Sequence, residues 1–197
     1  MPKVSTPQDL DAIRKALDHS RKKTCTTLRK VLDQECDDFL LQLKFEPLGC
    51  HPVDSQSQQT LTEQINLHAT YLAATEAVEM LMKRHPDKEW IFEPGHHGRG
   101  HDIESTDKEV AAEVFSAVHR QNNRKLSNDK LKIARFQGPY KYIFYRCHKE
   151  PASIEKESEI IIVSLGPTPA KIQNLWYRRL SHEIFGSRFL PATIPHV

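Results

Sequence analysis

Asp102 and Glu113 are the residues in this chain best placed to do chemistry. Asp102 opens the strand-like run Asp102-Ile103-Glu104-Ser105, and Glu113 lies eleven residues on, inside the apolar run from Val110 to Val118. In that run Val110, Ala112, Val114 and Val118 share one face, while Ala111, Phe115 and Ala117 share the other. Apolar residues on both faces mark a central, buried strand. A carboxylate in such a strand is costly unless it meets a metal, a cation or a proton. Two carboxylates are enough to hold Mg²⁺, but phosphate chemistry also wants a cation to steady the attacking water and the developing charge.

The elements that would position this pair can be read from caps and periodicity. Thr6-Pro7-Gln8-Asp9 starts a helix carrying Leu10, Ile13 and Leu17 on one stripe. A second helical pattern, from about residue 26 to 43, carries Leu28, Val31, Leu32, Phe39 and Leu43. Together they read as a helical hairpin or arm over residues 1–50. Pro47, Gly49, Pro52 and the polar run Asp54 to Gln59 read as a linker. Thr60-Leu61-Thr62-Glu63 is a capping box that opens a long helix ending near Arg84, with Ile65, Ala69, Leu72 and Glu76 on one line. Glu76 is either a solvated helix residue or a third carboxylate directed at the Asp102–Glu113 site. Strands are expected at Trp90-Ile91-Phe92, from Asp102, over 110–118, over 140–147 and over 159–165, with a helix from about Asn123 to Arg135. A last helix, capped by Thr168-Pro169, would carry Leu175, Trp176, Leu180 and Ile184.

Gly100-His101-Asp102-Ile103-Glu104, Ala112-Glu113-Val114-Phe115 and Asn122-Asn123-Arg124-Lys125-Leu126, set in the order helix, three strands, helix, strand, resemble the PD-(D/E)XK nuclease superfamily over roughly residues 60–165. The resemblance implies an α/β fold with a restriction-endonuclease-like core, a mixed central sheet flanked by helices. It implies a nuclease-like domain over residues 60–197, with Asp102 and Glu113 as metal ligands for Mg²⁺ or Mn²⁺. The chain departs from the pattern at one position: Phe115 stands where the motif lysine belongs. His119 is on the face of Glu113, but six strand residues span about 20 Å, too far for a substitute. Lys125 and Lys130, on the following helix, can return a long side chain to the site. Lys125 is the preferred stand-in, against its reading as an ordinary solvated helix lysine.

Other candidate contacts to nucleic acid are His97, Arg99, Arg120, Arg124, Arg178 and Arg179. His96, His97 and His101 could bind zinc, but their spacing is unlike a zinc finger or a metalloprotease helix, which favours a polar loop at the mouth of the site. Basic and aromatic residues interleave from Arg135 to Arg146 and from Lys171 to Arg179, a mixture that suits phosphate contact and base stacking or, more simply, the filling of a sheet face.

Composition bounds the rest. The 197 residues suffice for one sizeable core, and 28 Lys and Arg against 26 Asp and Glu leave a net charge of only +2, so any basic surface must be local. Four scattered cysteines, Cys25, Cys36, Cys50 and Cys147, argue against a zinc ribbon and a disulfide scaffold, and for a reducing cytoplasm. No signal-peptide core and no apolar run near the roughly 18 residues of a membrane span is seen, so a soluble protein is expected.

The leading functional expectation is a Mg²⁺-dependent DNA endonuclease or a component of a defence system. The alternative keeps the fold without the chemistry: a catalytically inactive nuclease-like subunit that binds DNA or a protein. A third reading is an interaction protein, with the N-terminal helices serving a homodimer or a protein partner.

Overall fold

The computed structural model describes residues 3–33, 38–95 and 100–167. It contains β1 (Lys3–Val4), α1 (Pro7–Leu32), α2 (Phe39–Phe45), β2 (Pro47–His51), β3 (Asp54–Thr60), α3 (Leu61–Arg84), β4 (Trp90–Phe92), β5 (Ile103–Ser105), β6 (Val110–Ala117), α4 (Lys125–Ala134), β7 (Tyr140–Cys147), β8 (Ser153–Glu157) and β9 (Ile160–Ser164). Seven strands form one mixed sheet in the order β1-β4-β5-β6-β7-β9-β8, and β2 and β3 form a separate hairpin. The centre, β6-β7-β9, is parallel, and the outer pairings are antiparallel. The fold is α/β, with helices on both faces of a mixed sheet.

Both long helices begin where local chemistry dictates. Thr6 Oγ1 accepts from Asp9 N at 3.2 Å while the Asp9 carboxylate accepts from Thr6 N at 2.8 Å, and Thr60 and Glu63 repeat the arrangement at 3.3 and 2.8 Å. Beyond its cap, α1 departs from expectation. It runs unbroken through the residues read as the start of a second helix, since neither Pro nor Gly interrupts it, and Thr26 and Thr27 each donate to the carbonyl four residues back.

Nor does α1 stand apart as an arm. Leu10, Ile13 and Leu17 share one core cluster with Ala73, Ala77, Val78 and Leu81 of α3 and with Val110, Ala112 and Val114 of β6. The stretch expected to be a linker is the β2–β3 hairpin, tied to α1 and α3 by a buried polar network. Ser20 Oγ donates to the Cys50 carbonyl at 2.7 Å, Thr24 Oγ1 donates to Gln64 Oε1 at 2.9 Å, and Gln64 Nε2 donates to Gln59 Oε1 at 2.8 Å. Gly49 permits this approach, because a Cβ there would lie 2.2 Å from Thr24 Oγ1.

The alternation of β6 divides the molecule. Its even-numbered residues face α1 and α3, and its odd-numbered ones face α4, where Ala111 and Phe115 pack with Leu126, Ile133, Ile143 and Tyr145. In α3 the buried stripe is Tyr71, Ala74, Val78 and Leu81 rather than the line through Ile65, which is 61% exposed. The helix expected after Thr168 lies outside the described residues.

Candidate functional site

The antiparallel pairing of β5 with β6 sets Ile103 against Ala112 and Glu104 against Ala111, so one further step of the ladder places Asp102 opposite Glu113. The ladder ends there, and the Asp102 side chain closes it. Its carboxylate accepts from Val114 N at 2.7 Å and from Gly95 N at 3.1 Å, and its carbonyl accepts from Glu93 N at 2.8 Å. Asp102 is only 5% exposed. Burial, reinforced by the charge of Glu113, pushes its carboxyl up to about 7, against the pull of the Val114 N–H, Lys132 and the Gly95 N–H.

Glu113 projects from β6 towards α4 and is 1% exposed. Both its oxygens are engaged: Lys132 Nζ donates to Oε2 at 2.8 Å, and His101 Nδ1 lies 2.6 Å from Oε1. The His101 ring meets Phe136 edge-on at 5.2 Å, which holds the imidazole beside the carboxylate. Helical periodicity brings Lys132 here. Leu126, Asp129 and Ile133 form the buried face of α4, and Lys132 lies along the same edge, about two turns after Lys125.

The cation beside Glu113 is therefore Lys132, not Lys125. Lys125 Nζ instead donates to Asp129 Oδ1, four residues along its own helix, at 2.8 Å. Lys130, the other candidate, pairs with Glu157 at 2.5 Å. Asp129 is itself buried, and its Oδ2 has no partner. Burial raises its carboxyl and the nearby charge of Glu113 raises it further, while Lys125 and Lys132 lower it. Phe115, in the place of the motif lysine, is buried and stacks on Tyr145 at 5.5 Å.

Glu76 is not part of this cluster. It lies on α3, across the sheet from the face that carries Glu113, and it accepts from Arg146 Nη2 at 2.5 Å. Burial raises its carboxyl, and Arg146 works against that shift. Arg120 pairs with Glu155 at 3.4 Å, and Arg124 is exposed, in a left-handed conformation before α4. His97, Arg99, Arg178 and Arg179 lie outside the described residues. Of the aromatic and basic run over 135–146, Tyr142 and Tyr145 fill opposite faces of the sheet, Lys141 pairs with Glu159 at 3.0 Å and Arg146 is buried. The sheet-filling reading of that run holds for the two tyrosines.

Neither Lys132 nor Asp129 is singled out in the sequence, where His101 falls in the Gly100–Glu104 motif and in a histidine loop. The available signal was the spacing Lys125, Asp129, Lys132, which places all three on the inner side of one helix.

Carboxylate oxygens are the donors that a hard divalent cation takes. Asp102, Glu113 and Asp129 bring three buried carboxyls against the ammonium groups of Lys125 and Lys132, and one buried carboxylate oxygen is left without a partner. Among the described residues no group of three or more His, Cys, Asp or Glu side chains converges on one point as metal ligands. Mg²⁺ does not demand such a cage: one or two carboxylates, several waters and a substrate phosphate suffice.

The raised Asp102 carboxyl has a measurable consequence. An unfolded carboxyl ionises near 3.8, whereas the folded one keeps its proton up to about 7. The contribution of Asp102 to stability is thus full below 3.8 and is lost progressively as the pH rises to about 7. Relative to Asp102→Asn, the wild type is expected to lose a few kcal/mol between those limits and nothing more above them. Urea midpoints at acidic, intermediate and alkaline pH measure this, and a wild-type–variant difference independent of pH contradicts it.

Comparison with protein-family models, with curated proteins and with solved structures finds no match to this chain. Among the described residues no helix is long and apolar enough to cross a membrane.

Proposed function

We propose that the protein is a nucleic-acid-processing enzyme with a restriction-endonuclease-like core, a Mg²⁺-dependent DNA endonuclease of the kind used in defence systems. One observation carries this reading: the Lys132 ammonium reaches Glu113 from α4, beside Asp102, so the cation missing at Phe115 is supplied from the neighbouring helix.

Asp102 and Glu113 would hold the Mg²⁺ (or Mn²⁺), which when bound supplies Lewis-acid polarisation of the phosphodiester. Lys132 neutralises charge that develops on the phosphate, and its bond to Glu113 fixes where its ammonium sits. The Asp129–Lys125 pair closes the inner face of α4 and keeps a second ammonium within the field of both site carboxylates. Among the described residues the thiols Cys25, Cys50 and Cys147 are free, which suits a cytoplasmic protein.

A second reading, an inactive nuclease-like subunit that binds DNA or a protein, has its own support. All four oxygens of Asp102 and Glu113 already have nitrogen partners. In addition, Leu32, Leu40, Leu41 and Phe45 are more than half exposed at the junction of α1 and α2, a surface suited to a protein partner or a second copy.

Cleavage of plasmid, linear and single-stranded DNA, and of RNA, with Mg²⁺ or Mn²⁺ separates the two. Wild-type cleavage that disappears in both Asp102→Ala and Glu113→Ala is the result expected of the enzyme. Full activity in either variant overturns the mechanism, and no cleavage by folded wild type selects the binding subunit.

A further inference from the structure

On the sheet face opposite α1 and α3, α4 packs chiefly over β6, β7 and β9. Beside it lies an open cleft of about 430 Å³, whose wall includes His101 and Lys132, the two residues bonded to the buried Glu113 carboxylate. Its rim is cationic. Lys108 stands on the turn between β5 and β6, and Arg135 follows the last residue of α4. The Lys108 side chain is 75% exposed and pairs only with Glu104, at 3.0 Å. Only the Lys108 end of the pair is open to solvent, so its ammonium can reach a phosphate while it keeps Glu104. Arg135 is exposed, and its guanidinium has no partner among the described residues. Glu104 is the one acidic residue of the lining, against His101, Lys108, Lys132 and Arg135.

This rim is built in advance of any ligand. A Cβ on Gly138 would lie 2.6 Å from the Lys108 carbonyl oxygen and 2.7 Å from that of Glu109, so the backbone after Arg135 is pressed against the β5–β6 turn. Tyr140 N donates to the Glu109 carbonyl at 3.1 Å and fastens the same two segments. Lys108 itself adopts a left-handed backbone, φ 60°, which fixes the turn that presents its side chain. The backbone of the rim is thus ordered before a ligand arrives, and the freedom lost on binding is that of the Lys108 and Arg135 side chains.

We propose that this cleft is the seat of a single nucleic-acid strand, with Lys108 and Arg135 contacting the phosphates that flank the one presented to Lys132. The inference rests on the nucleic-acid reading above and adds to it the strandedness and the contact residues. The cleft is in the size range of small-ligand pockets, about 300–1,000 Å³, room for a nucleotide of a splayed strand. Lys108 and Arg135 offer charge, so recognition is of backbone and not of sequence. Phe136, in the cleft wall, offers a ring face to a sugar or base.

The test is fluorescence anisotropy of the full chain with a labelled single-stranded DNA oligonucleotide, in EDTA to prevent cleavage, between about 50 and 200 mM salt. Arg135→Ala and Lys108→Ala are each expected to weaken binding about three- to tenfold and to reduce the slope of log K against log salt by about 0.7. Lys15→Ala, on the exposed side of α1, is the control and is expected to leave both quantities unchanged. A double Lys108→Ala, Arg135→Ala variant that binds with wild-type affinity and slope overturns the cleft, as does a duplex bound more tightly than the single strand. Cleavage that persists in such a double variant overturns the cleft alone. Binding that the rim variants weaken, in a protein that cleaves nothing, supports the cleft and overturns the enzyme; a wild type that binds no nucleic acid overturns both.

Discussion

Lys132→Met is expected to reduce metal-dependent cleavage by about 10²–10³-fold, whereas Lys125→Met stays within about threefold of wild type. The size follows from where the charge sits. Removing one preorganised donor from a site of developing negative charge costs roughly 2.7–4 kcal/mol of transition-state stabilisation. Lys132 is the ammonium bonded to Glu113, and Lys125 is held by Asp129 on its own helix. Both substitutions also leave a buried carboxylate with fewer partners, so rates belong at a temperature where each variant is folded. Lys132→Arg keeps the positive charge and is expected to recover part of the rate. Equal rates for Lys132→Met and wild type, or loss confined to Lys125→Met, would remove Lys132 from the mechanism.

The second large effect is on stability, across the sheet from the candidate site. Glu76→Ala is expected to destabilise the protein by about 3 kcal/mol, because it leaves Arg146 as an unpaired buried cation. The Arg146 side chain is 6% exposed, and its Nε and Nη1 are already without partners, so the bond to Glu76 is the one hydrogen bond its guanidinium makes among the described residues. For a domain of this size that cost lowers the melting temperature by about 6–12 °C. Replacing both partners, Glu76→Leu with Arg146→Met, should recover most of it, since two apolar side chains avoid the desolvation penalty of a buried pair. Thermal melts of the two single variants and the double variant measure this. A Glu76→Ala protein that melts with wild type would show the pair to be dispensable. Cleavage, measured on folded Glu76→Ala, is expected to be unaffected, because Glu76 and Glu113 occupy opposite faces.

Local features were legible in the chain. The caps at Thr6 and Thr60 depend on residues three apart, and both form as read. The run Val110–Val118 is apolar enough on both faces to mark a central strand, and it forms β6 over Val110–Ala117, paired in parallel with β7, the strand expected over Tyr140–Cys147. Other elements carried too weak a pattern. In β8, Ser153–Glu157, only Ile154 packs against the core, and its charged neighbours suit an edge strand rather than a buried one. The β2–β3 hairpin is held by Ser20, Thr24, Gln59 and Gln64, and a network spread over some forty residues of chain leaves no local periodicity to find.

The candidate site divides in the same way. That Glu113 lies in a buried strand and must find a compensating partner follows from residue types and alternation alone, because burying an unpaired charge is costly wherever the strand ends up. Its placement opposite Asp102 required the register of β5 on β6, a property of two segments rather than of either. Which lysine serves it required the rotation of α4 about its own axis: the packing of Leu126 and Ile133 against β6 and β7 turns Lys132 to Glu113 and leaves Lys125 to Asp129. The exclusion of Glu76 required knowing which face of the sheet α3 covers. The sequence alone determined which groups demand partners, since that depends on chemistry and local burial. Only the tertiary structure decided who the partners are, since contacts between distant segments depend on register, rotation and layering that the packed core imposes.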